Sequence, residues 1–177
     1  MLPALLFLLL ILTCACNRGP VYYPPPEQRH PVEAQAPAMR ASMMINMNDD
    51  DAPLHFVQDI SSALEGSTWR WTKKRPTVKL LLVKTKDLKY VVDFTLADAT
   101  MQQTGPVTVS FFVGDRLLDK IHYAKPGYQH YEKPIDPAWV QTVTDTLVSA
   151  EVDKTYKDSR DGAVLGFILT RMGFERR

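Results

Sequence analysis

The stretch YVVDFTL (residues 90–96) repeats with a period of two. Tyr90, Val92, Phe94 and Leu96 fall on one face, and Val91, Asp93 and Thr95 on the other. VTVSFFV (107–113) does the same, setting Val107, Val109, Phe111 and Val113 against Thr108, Ser110 and Phe112. Side chains alternate between two faces in a strand and not in a helix, so this rhythm predicts half-buried antiparallel strands. Gly114-Asp115 follows at once and RLLDKIHY resumes a strand-like run, the signature of a tight hairpin. KPGY (125–128) marks another turn, with Pro126 and Gly127 in type II positions. Further strands are expected at 77–83, 128–133, 142–152 and 163–174. HFVQDI (55–60) reads as the first strand, although a short helix over 54–66 shares its pattern. DPAWVQTV suits one helical turn beginning at Pro137. About eight short strands separated by close-spaced turns predict an all-β, antiparallel β-sandwich.

A chain of 177 residues with 45% apolar content supports one sizeable core rather than two. Its 21 Lys and Arg nearly balance 20 Asp and Glu, so no global field draws it to nucleic acid. Eight of the 13 prolines precede position 55, and that asymmetry divides the chain.

Residues 1–15, MLPALLFLLLILTCA, carry no charged side chain. An apolar run of about 12 residues is short for a bilayer-spanning helix, which needs roughly 20, and fits the core of a secretory signal. Cys14 and Cys16 are the only two cysteines. One intervening residue is too few for a redox pair, a disulfide across it would be strained, and the nearest histidine, His30, sits in a proline-rich stretch. The apolar run, the small Ala15 and then Cys16 resemble the lipobox of bacterial lipoproteins, with Thr13 where that pattern prefers leucine. The resemblance implies that Cys16 is lipidated, becomes the first mature residue and ties the protein to a membrane of the cell envelope. Residues 16–53 read as a tether, proline-rich and extended at first, then methionine-rich and acidic. On this reading the folded domain spans residues 54–177. The acidic run at 48–51 lacks the glycine and glutamate of a calcium loop.

STWRWTKKRPTVKLLL, PVTVSFFVGDRLLDKIHYAKPGYQHYEKPI and LVSAEVDKTYKDSRDGAVLGFILTRMGF resemble a β-sandwich module of bacterial envelope proteins, similar to galactose-binding-like jelly rolls. The likeness covers roughly residues 55–175 and implies a jelly-roll-like fold more firmly than a function.

Five residues stand out as ligand-binding candidates. Trp69 and Trp71, two apart on a strand, point the same way and can offer their rings to sugar C–H faces, although large aromatics more often pack in cores. Tyr128 and His130 share one face of the following aromatic stretch and Tyr131 takes the other; as a loop-edge cluster they suit glycan stacking and hydrogen bonding. Lys73, Lys74 and Arg75 read as a solvated turn, and Asp153, Asp158 and Asp161, interleaved with cations, as a polar loop. Asp93 and Glu151 alternate with apolar neighbours and are expected on the solvent face. No nucleophile elbow, zinc-protease motif or phosphate-cradling loop is present, and no metal or cofactor is implied. The expectation is a non-catalytic recognition module of the envelope with glycans as its first ligand class. The alternative is an assembly subunit binding a protein partner through an edge strand or aromatic patch.

Overall fold

The computed structural model describes residues 41–177. The expected signal segment, Cys14, Cys16 and the first part of the expected tether lie outside the described residues. Everything described from β1 (Met44–Asn46) to β11 (Ile168–Arg176) is built from strands, one α-helix and short 3₁₀ turns. Between them come β2 (Phe56–Ile60), β3 (Arg70–Leu80), β4 (Leu88–Leu96), helix α1 (Asp98–Thr104), β5 (Val107–Val113), β6 (Arg116–Tyr123), β7 (Gly127–Pro134), β8 (Thr146–Val152), β9 (Tyr156–Lys157) and β10 (Val164–Leu165). All pairings are antiparallel. The all-β, antiparallel expectation holds, including a strand at Phe56–Ile60 and a single turn at Pro137–Trp139, but the Phe56–Ile60 strand, expected first, is second after β1. Helix α1 was not foreseen. Its DATMQQT segment is too short for a period to declare itself, and Gly105 at φ +67 ends it.

One path, β6-β5-β8-β3-β11-β4-β7, orders the main sheet, with β1 added to β11 and β2 to β3. β3 makes the path fold over. Its first residues, Arg70 and Trp71, pair with β11, whereas Thr77 to Leu80 pair with β8. Pro76 stands between the two halves and has no N–H to give a ladder, so the strand changes partners there. Opposite it, β2 slips register around Asp59, whose carboxylate accepts the Arg75 N–H at 2.8 Å. The path's ends, β6 and β7, are joined by the turn at 124–126. Tyr123 of β6 packs edge-on against Phe94 of β4 at 5.5 Å, and Tyr131 of β7 stacks on Phe111 of β5 at 3.5 Å. The result is a sandwich of two layers curled almost into a barrel.

The alternating residues fill its interior. Tyr90, Val92, Phe94, Leu96, Val107, Val109, Phe111 and Val113 are all buried, with Phe167, Leu169, Met172 and Phe174 from the C-terminal part. The expected hairpin at Gly114-Asp115 is present, with Gly114 at φ +59.

The domain boundary needs correction. Residues 41–53, read from sequence as tether, belong to the folded body. Where β3 leaves β11, an edge opens, and β1 takes it, pairing Met44 with Gly173 and Asn46 with Arg171. Ile45, Met47 and Ala52 are buried in the core. Gly173 permits this. A Cβ there would lie 2.3 Å from the Met43 carbonyl oxygen, so any side chain would push β1 away. Composition misled because three apolar residues in a polar stretch are enough for so short a strand. Among the described residues, the buried apolar core runs from Ile45 to Phe174.

Candidate functional site

The register places one residue from each of four neighbouring strands in a row. Tyr128 on β7 pairs with Thr95 on β4, Thr95 with Ile168 on β11, and Ile168 with Trp71 on β3. Directly paired residues project to the same side, so all four occupy the outer face of this layer. Three inter-strand steps separate Trp71 from Tyr128, about 14 Å. Trp69 joins the row at its end, edge-on to Trp71 with ring centroids 5.9 Å apart. Both tryptophans are half-buried and Tyr128 is 63% exposed.

Arg70, between the tryptophans, faces inward and is buried. Its Nε donates to the Met47 carbonyl at 2.9 Å, its Nη1 to the Ser62 carbonyl, and its guanidinium lies over the Phe56 ring. The strand thus inverts the usual arrangement, holding the cation inside and the aromatics outside. Carbonyl oxygens from β1's end and the 61–62 loop make that tenable, because they satisfy a charge that water no longer reaches.

Trp71 forms the ridge between two open grooves. The larger, about 760 Å³, runs between Trp71, Ser61, Glu65, Lys73 and the loop 158–165. The smaller, about 340 Å³, lies between Trp71, Thr100 of α1, Tyr156 and Arg160. Arg160 borders both. Its side chain is largely exposed, yet Asp158 holds it by Nη2 at 2.6 Å and Nε at 3.1 Å. The Arg160 side-chain and backbone hydrogen bonds bring the Asp158 carboxyl down to about 2. Asp161 accepts the Ala163 N–H and Asp153 the Thr108 N–H, so the aspartates of this loop serve as local fasteners.

Beside the aromatic row lies a second one: His130 on β7, Asp93 on β4 and Arg171 on β11. Asp93 is on the outer face as its alternation predicts, but only 7% exposed, against the expectation of a solvated carboxylate. It accepts from His130 Nδ1 at 2.5 Å and from Arg171 Nε. Arg171 Nη1 continues to Glu175 at 2.7 Å, Lys89 bridges Glu175 at 3.5 Å and Glu132 at 2.5 Å, and His130 Nε2 returns to Glu132 at 3.4 Å. The six side chains form a closed ring of alternating charge that balances when His130 is protonated. Val91, which the register places inside the ring, has no exposed surface.

The charges act on one another. Burial pushes the Asp93 carboxyl up, but the hydrogen bonds from Arg171 and His130 outweigh it and hold the group below its ordinary value. The hydrogen bond to Asp93 raises His130, against a smaller opposing effect of burial. Burial, then the Asp93 charge, raises the Tyr128 phenol.

Of the five sequence candidates, Trp69, Trp71, Tyr128 and His130 share this outer face. Tyr131 does not and is corrected to a core residue, 3% exposed and stacked flat on Phe111 with an interplanar angle of 3°. Its odd position in the alternation turns it inward opposite Val92. Burial drives its phenol far above the usual range. The sequence reading missed Asp93, Arg171 and Arg160 as parts of the face. Asp93 and Arg171 are 78 residues apart, and only strand pairing brings them together.

His130 is engaged by two carboxylates, and Thr108 Oγ1 lies 3.4 Å from His122 Nδ1, beyond good hydrogen-bond length. No group of three or more His, Cys, Asp or Glu among the described residues is arranged to hold a metal, and no described helix is long and apolar enough to cross a membrane. No protein-family model, curated protein or solved structure matches the chain.

Proposed function

We propose that this protein is a lipid-anchored, non-catalytic recognition module of a bacterial cell envelope, and that its outer aromatic face binds glycans. One observation carries the reading: Trp69, Trp71 and Tyr128 lie on a single outer face, with Trp71 standing between two grooves. Rings so displayed offer flat apolar surfaces to sugar rings, while His130, Arg160 and Glu65 border them with donors and acceptors for hydroxyl groups. Anchoring rests on the lipobox-like segment ending at Cys16.

A glycan array probed with the chain from residue 17 onward tests the binding half. Trp71→Ala is expected to lower affinity about fivefold, in line with roughly 1 kcal/mol for an aromatic contact, without changing the melting temperature by more than a few degrees. Retained binding in a folded Trp71→Ala, Tyr128→Ala double variant would refute it. Mass spectrometry of the mature protein tests the anchor: an unmodified Cys16 or an intact Met1 overturns it.

A further inference from the structure

At the end of the fold where β4 begins and β11 finishes, away from the aromatic row, Lys84, Lys86, Arg176 and Arg177 line a groove of about 610 Å³. All four are exposed, and none takes part in an ion pair among the described residues. The one acid in the lining is Asp87, whose carbonyl oxygen accepts the Arg177 N–H at 2.9 Å. The cations therefore have little local compensation, unlike those of the ring around Val91.

Two apolar residues accompany them. Val83, in the same lining, is 63% exposed, and Val143, next to the lining residue Thr142, is 82% exposed. Aliphatic side chains standing out beside a cluster of unpaired cations match the layered chemistry of a bilayer interface, where apolar tips enter among the acyl chains and cations meet phosphates. A soluble phosphate would use the cations and leave the valines in water. The chain's path adds a third observation. β1 runs antiparallel to β11, and the Met43 carbonyl accepts from the Phe174 N–H, so Met43 lies toward this same end.

We propose that this end is a docking surface for anionic phospholipid headgroups, with Lys84, Lys86, Arg176 and Arg177 on the phosphates and Val83 and Val143 in the interface. It rests on the envelope reading for the presence of a membrane, but not on lipidation or on glycan binding. Docked this way, the body holds the row from Trp71 to Tyr128 away from the headgroups.

The test is co-sedimentation of the non-lipidated chain, residues 17–177, which keeps every described core residue, with vesicles. Vesicles of phosphatidylcholine containing 30% phosphatidylglycerol, about three lipids in ten, are compared with phosphatidylcholine alone. Binding to the anionic vesicles that weakens with salt is expected. Each cation is worth roughly fivefold, so Lys84→Gln with Lys86→Gln is expected to lower partitioning about 25-fold. Val83→Asp with Val143→Asp is expected to weaken it also, and Trp71→Ala to leave it unchanged. Lys84, Lys86, Val83 and Val143 are exposed and Trp71 is half-buried, and circular dichroism confirms that each variant is folded. Equal binding to both vesicle types, no binding to either, or tripolyphosphate binding without vesicle binding would each overturn the proposal. Loss of glycan binding or of the Cys16 lipid, with vesicle binding intact, would refute only the earlier reading.

Discussion

Asp93→Asn removes the carboxylate on which two cations of the ring converge. Breaking a fully buried ion pair by deleting one partner costs about 3–5 kcal/mol. Here the Arg171 and His130 side chains keep 30% and 40% of their surface in water. Each also retains a second carboxylate, Glu175 or Glu132. Solvent screening and these surviving partners bring the expected loss to about 2 kcal/mol. At about 4 °C per kcal/mol for a body of this size, the melting temperature should fall by about 8 °C. The pH dependence is the sharper signature. Asp93 is held below its ordinary value of 3.8, so its contribution is complete above that value and is lost as pH falls through the folded one. His130 is raised above its ordinary 6.5, so its contribution is complete below 6.5 and is lost as pH rises through the folded value. The gap between wild type and variant, read by thermal denaturation across pH, should be widest between about 4 and 6.5. Above that window it should narrow but persist, because Arg171 stays charged. A variant melting within one degree of wild type, or a gap that widens from pH 6 to 9, would refute the reasoning.

Other outcomes follow from particular contacts. Tyr131→Ala should destabilise the fold by about 3–5 kcal/mol in urea denaturation, whereas Tyr128→Ala should cost under about 0.5 kcal/mol, since only the first ring is buried. Removing residues 41–53 should cost about 3–6 kcal/mol, because Ile45 and Met47 leave the core and the β11 edge is uncovered. The same melts, comparing chains from residues 41 and 54, check this. Gly173→Ala should cost about 1–3 kcal/mol through the clash with the Met43 carbonyl, and a melt unchanged from wild type would contradict that close approach.

Much of the architecture was legible in the chain. The period-two runs at 90–96 and 107–113 and the Gly114-Asp115 turn are local signals, and local conformational preference was enough to place them; Gly127, expected inside a turn, opens β7 instead. The same alternation set Trp69 and Trp71 on one side and separated Tyr128 and His130 from Tyr131. It did not say which side was the interior. For the tryptophans that depended on Arg70, whose guanidinium finds carbonyl oxygens only where β1 and the 61–62 loop meet β3.

Sequence by itself determined that this body is a pile of short antiparallel strands, because side-chain alternation is a property of each strand alone. Tertiary structure decided what those strands display. The row from Trp71 to Tyr128, the ring from Asp93 through Arg171, and the place of residues 44–47 in the core all depend on register between segments distant in the chain. Register is fixed by which faces are buried together, by the turn of β3 at Pro76 and by the space left at Gly173. None of these is written in a single segment, since each is a relation between two backbones.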